Sequence, residues 1–581
     1  MRKHVVILGA GYGGVSAAKK MAKLAKKKDE VEVTLINKGS SHHLITELHE
    51  VAGNRIAPED LEISLNRLFE STKVNVIDDE INEIDFDNKK LISDEKEYIY
   101  DYLILGAGSQ PTDCGVNGVD EHALTLWSIK DAEKINQHIE NMFQEAQFET
   151  DPEIRRELLS FVVNGAGFTG VEMVGELINW FDKLAKKYGI PRKDIDLYLV
   201  EGLDRILPNI NDKMAAKAAD FLRKNNVEIK TGEFVEEVTD NEVVLQNGEI
   251  IPARTSIWTC GVKSAPLVEQ MDLEKDRSER LIVNDYLQIP EYPEVYAIGD
   301  NSAAPWADEK TLPALVETAM QTGECAAKNV VADITGKEKE KIEASLHGVM
   351  VSIGNDFAVA DVTGLSLKGR PALLLKHMVN MFYFFEIGGI KEGFSLINEY
   401  IHEQASHNGL VSQLFDQATR KSHTFFVAIL RIFLGYQWIM SGYSKIQDGW
   451  LSSPDFLVAG ATSSPIGPNA VGWYADLMEA VVMQYPMIFQ PIIVFTELAI
   501  GLSLFLGFFS VLGALASIFM NINFFLSGTG NMWYLMSSFP CLASSGQVLG
   551  LDYYVMPMLK KLIWRKPKNK ESHLAEVVKE K

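Results

Sequence analysis

The stretch Val5–Gly14, VVILGAGYGG, constrains this chain more than any other. Residues that read as a buried strand run into Gly9, Gly11 and Gly14 at the spacing GxGxxG, and Val15–Lys27 then reads as a helix. Strand, glycine turn and helix in that order open a Rossmann unit. Gly9 permits the tight turn, Gly11 lets a pyrophosphate approach the backbone, and Gly14 lets helix and strand pack closely. The amides at the helix start are offered to the phosphates. Glycine-rich turns of this kind also serve packing alone, so the recurrence matters: Phe161–Gly170, FVVNGAGFTG, repeats the device with Gly165, Gly167 and Gly170. Two dinucleotide sites in one chain point to a flavin and a nicotinamide.

The second strand of each unit carries the residue that meets the adenosine ribose, usually an acid. In the first unit EVTLIN ends at Asn37 and Lys38. Asn37 can still hydrogen-bond ribose. In the second unit Asp196–Val200 leads to Glu201, which can accept both ribose hydroxyls of NADH and repels the extra phosphate of NADPH; the alternative is a solvated acid at a strand end. His42 and His43 are either flavin neighbours or exposed loop residues. YLILGAG, ending at Gly108, reads as the strand where the chain crosses into an inserted domain, and SIWTCGV at 256–262, which includes Gly261, as its return. Asp300, at the end of VYAIGD, is placed for a flavin ribityl chain. The helix over about 313–331 can point its N-terminal dipole at the flavin and stabilise the reduced anion.

With 581 residues the chain should hold about three or four domains. Its charge of −23 and the lack of a basic stripe argue against nucleic acid as a partner. Four scattered cysteines without a CxxC support neither a disulfide framework nor a metal site, and fit a reducing compartment. The opening MRKHVVILGAG imitates a signal peptide, but its apolar run is short and glycine-rich and reads as structure, which puts the first two-thirds of the chain in the cytoplasm.

GAGYGG near the start, GAGFTGVEMVGE at 165–176, WTCGV at 258–262, AIGDNSA at 297–303 and ALVETAMQTGECAAKNV at 314–330 together resemble the type II NADH:quinone oxidoreductases over roughly residues 1–395. That resemblance implies a glutathione-reductase-like α/β arrangement of two Rossmann-like domains holding FAD and NADH. It implies hydride transfer from NADH to FAD and two-electron reduction of a membrane quinone without proton pumping. Gly9, Gly11, Gly14, Asn37, Lys38, Gly108, Asp300 and Ala319 then belong to the FAD site, and Gly165, Gly167, Gly170, Glu201 and Gly261 to the NADH site. Glu172 matches a glutamate near nicotinamide and flavin; its other reading is an acid favoured at a helix N-terminus. The quinone motif AQxAxQ stands here as Val316 to Gln321, with Gln321 kept and the first glutamine replaced by Glu317. Lys376 takes the place of a basic residue near the quinone tunnel. The run at 371–390 is either a core helix or, as in the resembling family, a membrane-surface quinone entrance. Related flavoproteins often dimerise, so a homodimer is expected by analogy.

Long apolar runs begin only after Phe425. Segments 425–446, 488–508, 509–526 and 531–551 fit four spans of about 20 residues. The basic cluster from Lys560 to Lys570 then places the C-terminus in the cytoplasm, and the connection at 447–487, with Trp450, Trp473 and Tyr474, faces outward. Arg431 and Glu497 should face the bundle interior, as a structural ion pair or in a quinone or proton role. Arg431, Gly435, Gly442 and Lys445 resemble the DoxX family of four-helix membrane proteins.

The expected domains are 1–111 and 256–335 (FAD), 112–255 (NADH), 336–394 (quinone entrance), 395–424 (helical linker), 425–556 (transmembrane) and 557–581 (basic tail). The expected quinone is a menaquinone or demethylmenaquinone, and membrane-extended members of the resembling family can feed a dedicated quinone pool for extracellular electron transfer. Two rivals stand beside this reading: a sulfide or thiosulfate:quinone oxidoreductase using Cys260 and Cys325, and a transporter or scaffold with a regulatory flavoprotein.

Overall fold

Strands hydrophobic over their whole length belong in parallel sheets covered on both faces, and the two glycine devices sit on such strands. The computed structural model describes residues 2–25, 31–306, 310–405, 424–458, 466–543, 546, 549–553 and 555. They divide into two units, 1–418 and 419–581.

In the first unit, Lys3–Leu8 is a central strand of a sheet ordered 288–289, 292–297, 102–105, 3–8, 31–37, 74–78; all pairings are parallel except the 288–289 hairpin. Val5, Val6 and Ile7 have no exposed surface. The opening segment is therefore structural. The second sheet runs 124–125, 255–258, 160–164, 196–201, 227–231 and is wholly parallel. Thr255–Trp258 pairs with Phe161–Asn164, so SIWTCGV does not return to the first domain as expected. Its first residues, Ser256 to Trp258, are buried between two parallel neighbours and complete the second sheet; the return follows them. There Val262–Ser264 pairs antiparallel with Ser109–Pro111, so the outgoing and returning strands cross between the domains side by side.

Helices Tyr12–Ala25 and Val316–Thr335 cross closely: a Cβ on Gly323 would lie 2.2 Å from the Gly13 carbonyl oxygen. After the second of these come an antiparallel sheet of 348–353, 357–362 and 365–368 and a long helix, Arg370–Ala405, interrupted at Gly389. Leu374, Met378 and Phe382 are 42, 55 and 69% exposed along one face of that helix. Ala372, Leu373, Lys376 and His377 face inward.

In the second unit, Thr424–Gln447, Pro486–Leu506 and Ser510–Leu526 are helices, of which Pro486–Leu506 is long and apolar enough to cross a membrane. The expected fourth helical span is corrected: Met532–Ser538 is a seven-residue helix followed by a 3-10 turn at Pro540–Leu542. Pro540 supplies no amide to continue the ladder. The chain still travels the length of the unit. Gly467 and Val471 bond Ser527 and Leu526 at one end, whereas the Leu551 and Asp552 amides bond Leu506 and Gly507 at the other, where Asp552 also accepts the Phe509 and Ser510 amides.

Arg431 and Glu497 do not form an ion pair. Lys445 Nζ lies 2.9 and 2.8 Å from the Glu497 oxygens, and Arg431 donates to the carbonyls of Leu504 (2.6 Å) and Leu549 (2.9 Å). The antiparallel register is the reason: Gly435 abuts Phe505, Gly501 abuts Ile439 and Gly442 abuts Leu498, which sets Lys445 beside residue 497 and Arg431 beside the helix C-terminus. Carbonyls at a helix C-terminus lack intrahelical partners and attract a cation. Of the three aromatics in the 447–487 connection, Trp473 is exposed, while Trp450, which carries the Lys445 ammonium over its ring, and Tyr474 are buried. The basic cluster at 560–570 lies outside the described residues, as does most of the linker after 405.

Candidate active site

The two glycine loops repeat each other in backbone conformation and in their closest internal contact. Gly9 and Gly165 have φ of 95° and 91°, in the region a side chain rarely adopts. A Cβ at Gly14 would lie 1.8 Å from the Gly9 oxygen, and at Gly170 1.9 Å from the Gly165 oxygen. Gly11 and Gly167 instead face open space, with nothing within 4 Å of an added Cβ. That is the cradle a pyrophosphate needs, beside helices that begin at Tyr12 and Phe168. The residues present therefore fit two dinucleotides.

Asn37 and Glu201 occupy matching positions. Asn37 Oδ1 accepts the Ala10 amide at 2.8 Å, and Glu201 Oε2 accepts the Ala166 amide at 2.7 Å. Glu201 Oε1 also accepts the Leu203 amide at 2.9 Å. Asn37 Nδ2 is turned to the Lys38 and Gly39 carbonyls, and Lys38 pairs with Glu80 at 2.6 Å on the surface. His42 is wholly buried and His43 exposed. The Ala10 carbonyl can only accept, so His42 Nδ1 carries the hydrogen of their 2.8 Å contact and Nε2 accepts from the Tyr383 hydroxyl at 2.7 Å. Burial pushes His42 down to about 4, which keeps that neutral tautomer. Tyr12 packs edge-on against it, with ring centroids 5.0 Å apart.

At the carboxyl ends of the first sheet, Asp300 Oδ2 accepts from Ser109 Oγ at 2.5 Å, and Asn301 bonds both the amide and carbonyl of Gly108. Burial raises the Asp300 carboxyl, with Ser109 and Arg280 opposing. Asp300 lines a cavity of about 250 Å³ with Ser109, Val262, Lys263, Pro313 and Ala314, at the start of helix Val316–Thr335. Ala319 sits where that helix meets the first loop, its Cβ 3.4 Å from the position a Gly299 Cβ would take. Gly261 follows the second sheet with φ of 82°.

A buried cluster of charges lies where helices Leu48–Ala52 and Phe168–Tyr188, strand Gly348–Ile353 and the long helix converge. Lys376 Nζ is 2.9 Å from Glu47, 2.9 Å from Ser352 Oγ, 3.7 Å from Glu172 and 4.0 Å from Glu50. Ser352 donates its amide (3.1 Å) and hydroxyl (3.0 Å) to Glu172 Oε1. Arg55 pairs with Glu50 and, at 3.0 Å, with Glu176. Burial raises Glu172 to about 7 against the pull of Lys376, and Glu50 to about 8 against Arg55. Burial also opposes the charges of Glu47 and Lys376, but their mutual attraction wins, holding Glu47 well below the carboxylate range and Lys376 above its usual value. The set can hold protons near neutral pH in a largely buried site.

Of the expected quinone residues, only Lys376 joins Glu172 in this cluster. Glu317 binds the amide (3.1 Å) and ring of His347, and Gln321 bonds the Ser345 backbone through Nε2 (2.8 Å) and Oε1 (2.9 Å). Successive turns of one helix thus fasten segment 345–347. Glu47, His49, Glu50, Arg55 and Ser352 were missed from the sequence. The only signal available was ITELHE, with Glu47 and Glu50 one helical turn apart. Glu47, His49 and Glu50 bring ligand atoms within 4.8 Å of one another, but the Lys376 ammonium already supplies the cation there. Cys260 lies against Gly165 and Cys325 against Glu340, and burial pushes their thiols up to about 12 and about 11. Thiols so protonated are poor nucleophiles.

The family model described as pyridine nucleotide-disulphide oxidoreductase matches residues 3–323, and the DoxX model matches 426–528. A type II NADH:quinone oxidoreductase of Staphylococcus aureus (strain NCTC 8325) is 32% identical over 393 residues, covering 67% of this chain and 97% of the relative. The protein of that name from Staphylococcus saprophyticus is 32% identical over 399 residues. Among solved structures, NDH2 from Plasmodium falciparum in complex with NADH aligns with a TM-score of 0.62 at 18% identity, over 69% of this chain and 98% of that one. The sulfide:quinone oxidoreductase of Aquifex aeolicus aligns with a TM-score of 0.55 at 18% identity, over 72% and 96%. At these identities both structures speak for the fold alone.

Proposed function

This chain belongs to the pyridine nucleotide-disulphide oxidoreductases and, within them, to the type II NADH:quinone oxidoreductases; from that membership we propose which residues serve which step. It is an enzyme with a DoxX domain attached, using FAD to pass electrons from NADH to quinone. The bound flavin supplies hydride acceptance from NADH and two-electron delivery to the quinone.

The first loop, with Gly9, Gly11 and Gly14, holds the FAD pyrophosphate, and Asn37 accepts a ribose hydroxyl of the adenosine on the same side-chain oxygen that fixes the loop. Asp300, Gly108 and Ala319 hold the other end of the flavin, with the dipole of helix Val316–Thr335 favouring negative charge on the ring. The second loop, with Gly165, Gly167 and Gly170, holds NADH, and Gly261 shapes the crossing beside it. Glu201 selects NADH, since a 2′-phosphate would meet its carboxylate. Glu172 presents a protonated carboxyl and Lys376 a fixed positive charge to the quinone, the first to deliver a proton and the second to favour the developing oxyanion. Glu317 and Gln321 act on the quinone end by holding segment 345–347 in place.

The exposed row Leu374, Met378 and Phe382 would rest in the lipid interface at the quinone entrance. Residues 1–111 with those after Trp258 to about 335 form the FAD domain, and 112–258 the NADH domain. The DoxX segment would cross the bilayer, its fourth passage broken at Pro540. Both ends of that passage scheme, Arg431 and Asp552, lie at one end of the unit, which supports a flavoprotein and C-terminus on the same, cytoplasmic side.

The observation that carries this reading is the matched pair of loops in which Asn37 and Glu201 hold equivalent amides. Glu201→Ala should raise KM for NADH at least about ten-fold and leave KM for a menaquinone analogue unchanged; equal losses for both substrates would count against the assignment.

A further inference from the structure

The Lys376 ammonium faces three carboxylates and is shared unevenly among them. Glu47 has the short contact, 2.9 Å, against 3.7 Å for Glu172 and 4.0 Å for Glu50. Its other oxygen accepts from Asn380 Nδ2 at 3.1 Å, one turn further along the same helix, so two side chains of that helix clamp one buried carboxylate. Glu172 receives its short bonds from neutral donors only, the amide and hydroxyl of Ser352. The second buried cation, Arg55, is held by Glu50 and Glu176. His49 and His377, which also face this space, are kept uncharged by burial.

We propose that Glu47 is a positioning residue: it claims the Lys376 ammonium and so leaves the Glu172 carboxyl able to hold and release a proton. This rests on the assignment of Glu172 and Lys376 to the quinone-reducing centre. Burial favours a neutral acid, whereas an ammonium at contact distance favours the anion. With Glu47 in place, Lys376 is engaged elsewhere and Glu172 keeps its proton near neutral pH. With Glu47 neutral, Glu172 is the nearest charged partner left to Lys376, and a repelling charge is lost as well; both changes weaken its hold on the proton. The groups that decide the balance are Glu47, His49, Glu50 and Arg55 from the segment before residue 56, Lys376 and His377 from the long helix, and Glu176 on the helix of Glu172 itself.

The test uses the full-length, FAD-loaded enzyme in lipid, with anaerobic flavin absorbance followed over a range of pH on both sides of neutrality. In the native protein, reoxidation by a menaquinone analogue should fall with rising pH around about 7. In Glu47→Gln the midpoint of that fall should move down by about one pH unit, while bleaching by NADH keeps its rate and its profile. Glu47→Asp, which keeps the charge with a shorter reach, should shift it less. Infrared titration gives a second readout: the protonated-carboxyl band that Glu172→Gln removes should titrate at the same lowered pH in Glu47→Gln. An unmoved midpoint in Glu47→Gln, or a shift in Glu47→Asp as large as in Glu47→Gln, overturns the proposal. A fall that survives Glu172→Gln overturns the underlying assignment instead.

Discussion

The two glycine loops share a backbone and differ in how their alanine is held. Ala10 is fixed by side chains on both sides, its amide by Asn37 and its carbonyl by His42. Ala166 has its amide on Glu201, but its carbonyl accepts the backbone amide of Leu207 at 2.8 Å. The first loop is therefore locked to a neutral, buried chain that runs through His42 to Tyr383. The second ends in a carboxylate beside an open surface. A resident cofactor suits the first arrangement and an exchanging substrate suits the second. The difference lies in side chains around an identical motif, so the motif alone does not say which dinucleotide goes where.

The largest effects should come from the glycines whose Cβ would strike a carbonyl. Gly14→Ala places a carbon 1.8 Å from the Gly9 oxygen and should cost at least ~3 kcal/mol, giving protein without flavin absorbance. Gly170→Ala makes the same collision in the other loop, yet should retain the yellow cofactor and lose bleaching by NADH. If both variants shed FAD equally, the division of labour between the loops is wrong. Next in size, Lys376→Met removes the one ammonium in the Glu172 cluster and should slow flavin reoxidation by quinone roughly a hundred-fold without changing bleaching, as measured by rapid mixing. A smaller effect tests the lock on Ala10: Tyr383→Phe leaves His42 without its donor and should weaken FAD retention by about 1 kcal/mol, read from flavin release during thermal melting, with KM for NADH unchanged. Asn37→Asp should have the least effect on NADH and a modest one on FAD, since an acid at this position restores the usual ribose acceptor.

Much of this was legible because Rossmann chemistry is local. The glycines from Gly9 to Gly14 and from Gly165 to Gly170 each follow one strand directly, and Asn37 and Glu201 end the strand paired beside it, so within one strand–helix–strand unit the structure sets each of them beside its loop. The return point was misread because SIWTCGV carries both a strand of the second sheet and the crossing that follows, and hydrophobicity does not separate the two. Glu47, His49, Glu50 and Arg55 were invisible as a group, since their partners, Glu172, Ser352 and Lys376, come from elements far away in the chain. The Arg431 and Glu497 pairing failed for a related reason. Two charges in facing helices meet only if the register allows it, and small residues at Gly435, Gly442 and Gly501, not the charges, set that register.

On the proposed assignment, NADH delivers electrons at the Glu201 loop and quinone withdraws them at the Glu172–Lys376 cluster. Anaerobic stopped-flow flavin absorbance, comparing native enzyme with Glu201→Ala and Lys376→Met, separates the two half-reactions. Bleaching should slow with normal recovery in Glu201→Ala, and recovery should slow with normal bleaching in Lys376→Met. Variants that slow both phases alike, or a native protein whose flavin is not bleached by NADH, would contradict it.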